Sequence, residues 1–176
     1  MIFTKTKIKD VYILEPELLA DDRGFFARSF CKEEFRQSGL ETDIVQSNIS
    51  YNRKKGTLRG MHYQTAPYEE AKIVSCTKGA IYDIVLDLRK DSETYMEWIA
   101  IELTDKNFKM VYVPKGHAHG FQTLKDNTIV YYQMTEFFHP ECSKGIKWDD
   151  PSFKIKWPID KLTISSKDRS YPNFLE

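Results

Sequence analysis

Leu58-Arg59-Gly60-Met61-His62-Tyr63-Gln64 packs a cation, a glycine, a histidine and an amide into one short run of strand character. Leu58, Met61 and Tyr63 want burial, so the polar groups among them must line something other than bulk water. A histidine held on a rigid strand beside a cavity can transfer protons at neutral pH. The plainer alternative is a core histidine that donates to a backbone carbonyl.

A second constellation is Val113-Pro114-Lys115-Gly116-His117-Ala118-His119-Gly120-Phe121. Pro and Gly make a turn there, and a strand resumes at Gly120. Pro114-x-Gly116-x-x-His119 resembles the second motif of cupin barrels, in which the histidine binds metal. The first cupin motif needs His-x-His followed by Glu. This chain has His62-Tyr63-Gln64 and then Glu69, so Gln64 replaces one ligand. A three-ligand set of His62, Glu69 and His119 stays open. His117-x-His119 alone carries less, because the two side chains need not share a face.

The elements that position these residues read as mostly β. Candidate strands are Val11–Leu14, Ile44–Ile49, Thr57–Gln64, Lys72–Thr77, Ala80–Leu88, Trp98–Leu103, Lys109–Val113, Gly120–Thr123 and Thr128–Phe138. Turn chemistry separates them at Lys78-Gly79, Lys90-Asp91-Ser92, Asp105-Lys106-Asn107 and Asp126-Asn127. Many short strands at fairly regular spacing suggest a sandwich or barrel. One helix fits Lys32–Gln37, ended by Ser38-Gly39. The tail after Pro151 is irregular and rich in Trp and Pro, which suits a segment wrapped on the barrel. Within Ala80–Leu88, Asp83 shares a face with Ile81, Val85 and Asp87, where a carboxylate needs a partner. Tyr132 shares a face with Val130, Met134 and Phe138. Its phenol can enter the barrel interior, or it is an ordinary packed aromatic.

Composition narrows the function. A chain of 176 residues is expected to form a single domain, 1–176. The net charge is +0, which argues against nucleic-acid or anionic-membrane binding but leaves room for arginines on a phosphorylated small molecule. MIFTKTKIKD has no apolar secretion segment, and no apolar run approaches a membrane span. Cys31, Cys76 and Cys142 are odd in number, far apart and without CxxC spacing. They fit a reducing cytoplasm and no thiolate zinc site.

DDRGFF, VQSNIS, GTLRGMHYQ, AKIVSCTKGAIYDIVLDLRKDSETY, VYVPKGHAHGF, YYQMTEFFHPE, GIKWDDPSFKIKWP and ISSKDRSYP occur in this order. Together they resemble the dTDP-4-dehydrorhamnose 3,5-epimerase family, the RmlC-like sugar-nucleotide epimerases, over nearly the whole chain. The resemblance implies an all-β fold: a cupin-type double-sheet jelly roll with one or two short peripheral helices. It implies a homodimer, no metal and no organic cofactor. The implied substrate is a nucleoside-diphosphate 4-keto-6-deoxyhexose, inverted at carbons 3 and 5. That chemistry needs a base on one face of the sugar, a cation or donor near the keto oxygen, and an acid on the other face. By resemblance His62 is the base and Asp168 the carboxylate that orients it. Read without the resemblance, Asp168 is a solvated turn acid. By resemblance again, Lys72 is the cation at the keto oxygen and Tyr132 the acid. Arg23 and Arg59 clamp the diphosphate. Phe26, Gln46 and Asn48 fall in the nucleotide site, and His119 and Asp83 support the pocket.

Several positions depart from the family pattern. Arg28 stands where an acid commonly reaches the thymine of the partner subunit's nucleotide, so the base need not be thymine. Glu70 stands where Gln is usual and would alter charge near the diphosphate or keto group. Phe138 keeps the ring of an aromatic, often Tyr, that packs near the nucleotide. His117 replaces a usual Phe. Epimerisation of a dTDP-type keto sugar is therefore the leading reading. A single-carbon 3-epimerase or ketoisomerase on a related sugar nucleotide is second. A metal-binding or non-catalytic cupin is third, and the set of His62, Lys72, Tyr132 and Asp168 argues against it.

Overall fold

The computed structural model describes residues 1–174. In chain order the first strands are β1 (Ile2–Lys5), β2 (Tyr12–Glu15), β3 (Leu19–Asp21) and β4 (Gly24–Phe26), followed by helix α1 (Lys32–Gln37). Then come β5 (Gln46–Asn52), β6 (Thr57–Gln64), β7 (Lys72–Lys78), β8 (Ala80–Asp87) and β9 (Trp98–Thr104). The rest are β10 (Met110–Val113), β11 (His117–Thr123), β12 (Thr128–Met134), β13 (Ser143–Gly145), β14 (Thr163–Ile164) and helix α2 (Ser166–Arg169). One sheet has the order β1-β2-β10-β7-β12-β5. The other has the order β13-β6-β11-β8-β9, with β14 added parallel to β6. β3 and β4 form a separate hairpin.

Period-2 alternation explains the layering. Val74, Val111 and Val130 of the first sheet meet Ile81, Val85, Ile101, Leu103 and Phe121 of the second in one buried cluster. The outer face of the first sheet presents Ile73, Met110 and Tyr112, and α1 covers it with Phe35. The outer face of the second presents Met61, Ile84 and Leu86, covered by Ile146 and Phe153. Trp98 Nε1 donates to Phe153 O at 2.9 Å, so the tail after Pro151 lies on this sheet. The result is an all-β double-sheet sandwich of cupin type with two short helices.

Boundaries differ from the sequence expectation in informative places. The strand expected over Thr128–Phe138 ends at Met134, and the following residues turn out of the ladder as a loop at one rim. The strand expected at Gly120 starts at His117, and Ile44–Ile49 becomes Gln46–Asn52. β1, the β3–β4 hairpin, β13, β14 and α2 were not expected. Each is too short for a two-fold or helical period to register.

Candidate active site

A cavity of about 550 Å³ opens between the sheets. Arg59 and His62 reach it from β6, His119 from β11, Tyr132 from β12, and Lys72 from the start of β7. Gln46 and Asn48 of β5, with Glu70 and Phe138, complete the wall.

Strict alternation would put Arg59 and His62 on opposite faces of β6. The ladder breaks between them instead. Arg59 pairs with Phe121 and His62 with His119, so residues 59 to 62 of β6 span only 119 to 121 of β11. This β-bulge turns both side chains into the cavity. Gly60 makes it possible: its φ is +131°, and a Cβ there would lie 2.5 Å from Gly120 Cα.

His62 Nε2 lies 2.8 Å from Asp168 Oδ1. A carboxylate accepts, so Nε2 carries the proton and Nδ1 is left as the free base. The His62 side chain is 40% exposed, which leaves it open to the cavity. Asp168 is buried and fixed by its own short helix: Ser165 caps α2, its side chain accepting from Asp168 N–H at 3.0 Å. Burial raises the Asp168 pKa, but the bonds from His62, Gly60 N–H and Ser165 outweigh burial and hold it below the usual carboxylate value. The ring of Tyr171 stands edge-on to His62, with centroids 5.8 Å apart. Gly145, opposite His62 on β13, has no side chain and leaves room for that ring.

Lys72 Nζ is 2.5 Å from Glu70 Oε1, and both side chains are buried. The pair keeps an ammonium at the cavity wall where a single buried charge would be costly. Glu70 thus meets Lys72 itself, closer than the general charge effect expected of it. Burial pushes the Tyr132 phenol above its ordinary pKa of 10.0; the Arg59 charge opposes this and Glu70 adds to it. Arg59 Nε donates to Asn52 Oδ1 at 2.8 Å. Asp83 is fully buried, and its Oδ2 meets His119 Nε2 at 2.8 Å, the partner its apolar face demanded. Burial raises the Asp83 pKa against the lowering effect of His119.

Three expected residues are not brought to the cavity within one protomer. Arg23 stands on the turn of the β3–β4 hairpin, 90% exposed and paired with Asp21. Phe26 is 70% exposed on β4. Arg28 Nη1 donates to Glu34 Oε1 at 2.8 Å in its own chain, so its guanidinium is not offered freely to a base. The metal set of His62, Glu69 and His119 is not assembled either. Both Nε2 atoms are engaged by carboxylates, and Glu69 lines a separate hollow with Arg89 and Lys115. Among the described residues no group of three or more His, Cys, Asp or Glu could hold a metal ion. His117 and His119 do share a face, as residues i and i+2 of a strand must. His117 is buried further along, near Asp87, with Nδ1 3.1 Å from Lys115 O. Sequence reasoning missed Gln64, Met134 and Tyr171 in the cavity wall. The sequence puts Met134 on the Tyr132 face without marking it as a site residue, and Tyr171 carries no signal beyond its place in the ISSKDRSYP motif.

A family model described as dTDP-4-dehydrorhamnose 3,5-epimerase matches residues 5–176. A protein of that name from Methanothermobacter thermautotrophicus is 44% identical over 172 residues, covering 96% of this chain and 92% of its own. The crystal structure of the Bacillus anthracis dTDP-4-dehydrorhamnose 3,5-epimerase with TDP and PPi bound has a TM-score of 0.95 and 40% identity, covering 98% of both chains. The Legionella pneumophila dTDP-6-deoxy-D-glucose-3,5-epimerase, in complex with dTDP-4-keto-L-rhamnose, has a TM-score of 0.92 and 34% identity, covering 98% of this chain and 92% of its own. Sequence identity at this level over the full length, on the same double-sheet fold, makes this chain a member of the dTDP-4-dehydrorhamnose 3,5-epimerase family.

Proposed function

We propose that this protein epimerises a dTDP-4-keto-6-deoxy sugar at carbons 3 and 5. One observation carries the mechanism. His62 stands on one sheet and Tyr132 on the other, and both line the same cavity. A sugar ring between them has a base on one face and an acid on the opposite face. Neutral His62 Nδ1 takes the proton alpha to the ketone, and Asp168 stabilises the imidazolium that forms. The electron pair moves onto the keto oxygen, where the Lys72 ammonium stabilises the enolate. The Tyr132 hydroxyl then delivers a proton to the carbon from the far face, which inverts it. Exchange with solvent restores both groups, and the cycle repeats at the second carbon. Arg59 suits the diphosphate, while Gln46, Asn48 and Phe138 suit the nucleoside. Asp83 holds His119 at the cavity wall. No metal enters these steps.

The 1–176 chain works as one domain in a homodimer, in which the partner's hairpin brings Arg23 and Phe26 to the cavity. The three free cysteines suit a reducing compartment, the cytoplasm. Among the described residues no helix is long and apolar enough to cross a membrane. The test is incubation with dTDP-4-keto-6-deoxyglucose in deuterium oxide. Deuterium at both carbon 3 and carbon 5 with inversion is expected. Label at carbon 3 alone would make the protein a single-carbon epimerase, and no label would end the reading.

A further inference from the structure

Gln64 has no part in the proton transfers above, yet it is 4% exposed and lines the cavity. Its Nε2 donates to Tyr68 O at 2.8 Å and to Phe137 O at 3.1 Å. Its Oε1 accepts from His139 N–H at 2.6 Å. One amide thereby ties the loop after β6 to the rim loop after β12. Two of its bonds fall on the residues that flank Phe138. From the opposite sheet, Gln46 Oε1 accepts from Phe138 N–H at 3.1 Å. The Tyr68 and His139 rings stack alongside, with centroids 3.6 Å apart and planes 8° apart. The backbone is therefore fixed at three successive residues, 137 to 139, while Phe138 between them stays 51% exposed at the cavity wall. A ring presented on so rigid a backbone offers a flat apolar face to a flat group.

The residue type follows from the bonding. A carboxamide donates twice and accepts once in this geometry. A neutral imidazole has one donor and one acceptor, so a histidine at 64 could not bind two carbonyls and an N–H together. The place that a metal cupin gives to its second histidine is here given to a backbone clamp.

We propose that Gln64 is a positioning residue for substrate binding, which holds the Phe138 ring where the nucleoside end of the substrate docks. It acts through Phe138 and leaves proton transfer alone. The proposal rests on the placing of the nucleoside at Phe138 given above. Its test is a cycle of Gln64→Met, Phe138→Ala and the double variant, each assayed for KM, kcat and dTDP affinity.

Gln64→Met keeps the volume and removes the bonds. It is expected to raise KM and the dTDP dissociation constant together by about tenfold, with kcat within about threefold of wild type and the pH profile of kcat unmoved. Phe138→Ala is expected to do the same, and the double variant to be no weaker than the weaker single one, because both remove one interaction. If Phe138→Ala is silent, the nucleoside placement fails and the proposal with it. If Phe138→Ala raises KM while Gln64→Met does not, or the two effects multiply in full, the proposal alone falls. A fall in kcat with KM unchanged would also overturn it. Should Gln64→Met not fold, Gln64→Glu keeps the shape and the acceptor oxygen but removes both N–H donors to Tyr68 O and Phe137 O. The same rise in KM, absent on the Phe138→Ala background, is then expected, and a silent Gln64→Glu would count against the clamp.

Discussion

Asp168 decides which nitrogen of His62 is free, and so decides what this site can do. Its carboxylate holds Nε2–H at 2.8 Å and leaves Nδ1 to take a proton. Asp168→Asn keeps the shape, removes the charge and allows the wrong tautomer. Turnover should fall by a factor on the order of 10³–10⁴, as it does for such dyads, while dTDP affinity measured by calorimetry stays near wild type. The same carboxylate has a stability signature. Its folded pKa is below the ordinary 3.8, so its contribution is present above 3.8 and lost as pH falls through the folded value. Denaturation midpoints of wild type should therefore drop more than those of Asp168→Asn only in that acidic window. Across the cavity, Tyr132→Phe removes the proton donor and leaves the base. Carbon-bound deuterium should still appear in deuterium oxide, but with retained configuration, when followed by NMR. Full inversion by Tyr132→Phe would show that another group supplies the proton. Burial keeps the phenol pKa above 10.0, so Tyr132 remains an acid throughout the neutral range.

At the scale of elements, β6 was the most legible part of the fold. Its bounds, Thr57–Gln64, match the sequence reading, and its bulge follows from the need to aim Arg59 and His62 at one place. Gly60→Ala tests that device. The added Cβ meets Gly120 Cα at 2.5 Å in a backbone conformation at φ +131°, so straightening the strand is the only relief. A loss of about 1–3 kcal/mol is expected in thermal or chemical denaturation, with activity lost in the fraction that still folds. An unchanged melting point would deny the bulge. β8 was nearly as legible, read over Ala80–Leu88 and found over Ala80–Asp87, because both of its faces are buried and each carries apolar side chains. The partners of these strands were less so. Asp168 lies 106 residues from His62 on a four-residue helix, and no periodicity carries across such a gap. Its one local signal is Ser165 three residues earlier, an N-cap residue whose hydroxyl accepts from Asp168 N–H and fixes the backbone that carries the acid. In sequence Gln64 shows only as the residue that replaces a metal ligand, since its partners are backbone atoms of loops whose course no side-chain pattern reports. The Lys72–Glu70 pair joins residues i and i+2 where β7 begins, and only the fold shows that both turn into the cavity.

For the whole molecule, the β3–β4 hairpin stands apart from the cavity of its own protomer. β3 and β4 expose Leu19 at 67%, Phe25 at 47% and Phe26 at 70%, and they stand outside their own cavity. β5 is an unpaired edge of its sheet that exposes Ile49 at 73% and Tyr51 at 49%. Edges and apolar patches of this kind call for cover. The proposed two-fold dimer would supply it with one self-complementary surface and let each hairpin reach the other protomer's cavity. Arg23, paired with Asp21 on an exposed turn, would then meet the partner's bound diphosphate. The prediction is complementation between dead variants. His62→Ala lacks the base in every site, and Arg23→Glu spoils every site that receives it. In a mixed dimer, the Arg23→Glu protomer keeps His62 and receives a sound Arg23 from its partner, so one site is whole. Each variant alone should be nearly inactive. Mixing them under conditions that let subunits exchange should restore turnover, and sedimentation should give about twice 20.7 kDa for all of them. A monomer in sedimentation, or no gain on mixing despite proven exchange, would place Arg23 outside the catalytic assembly.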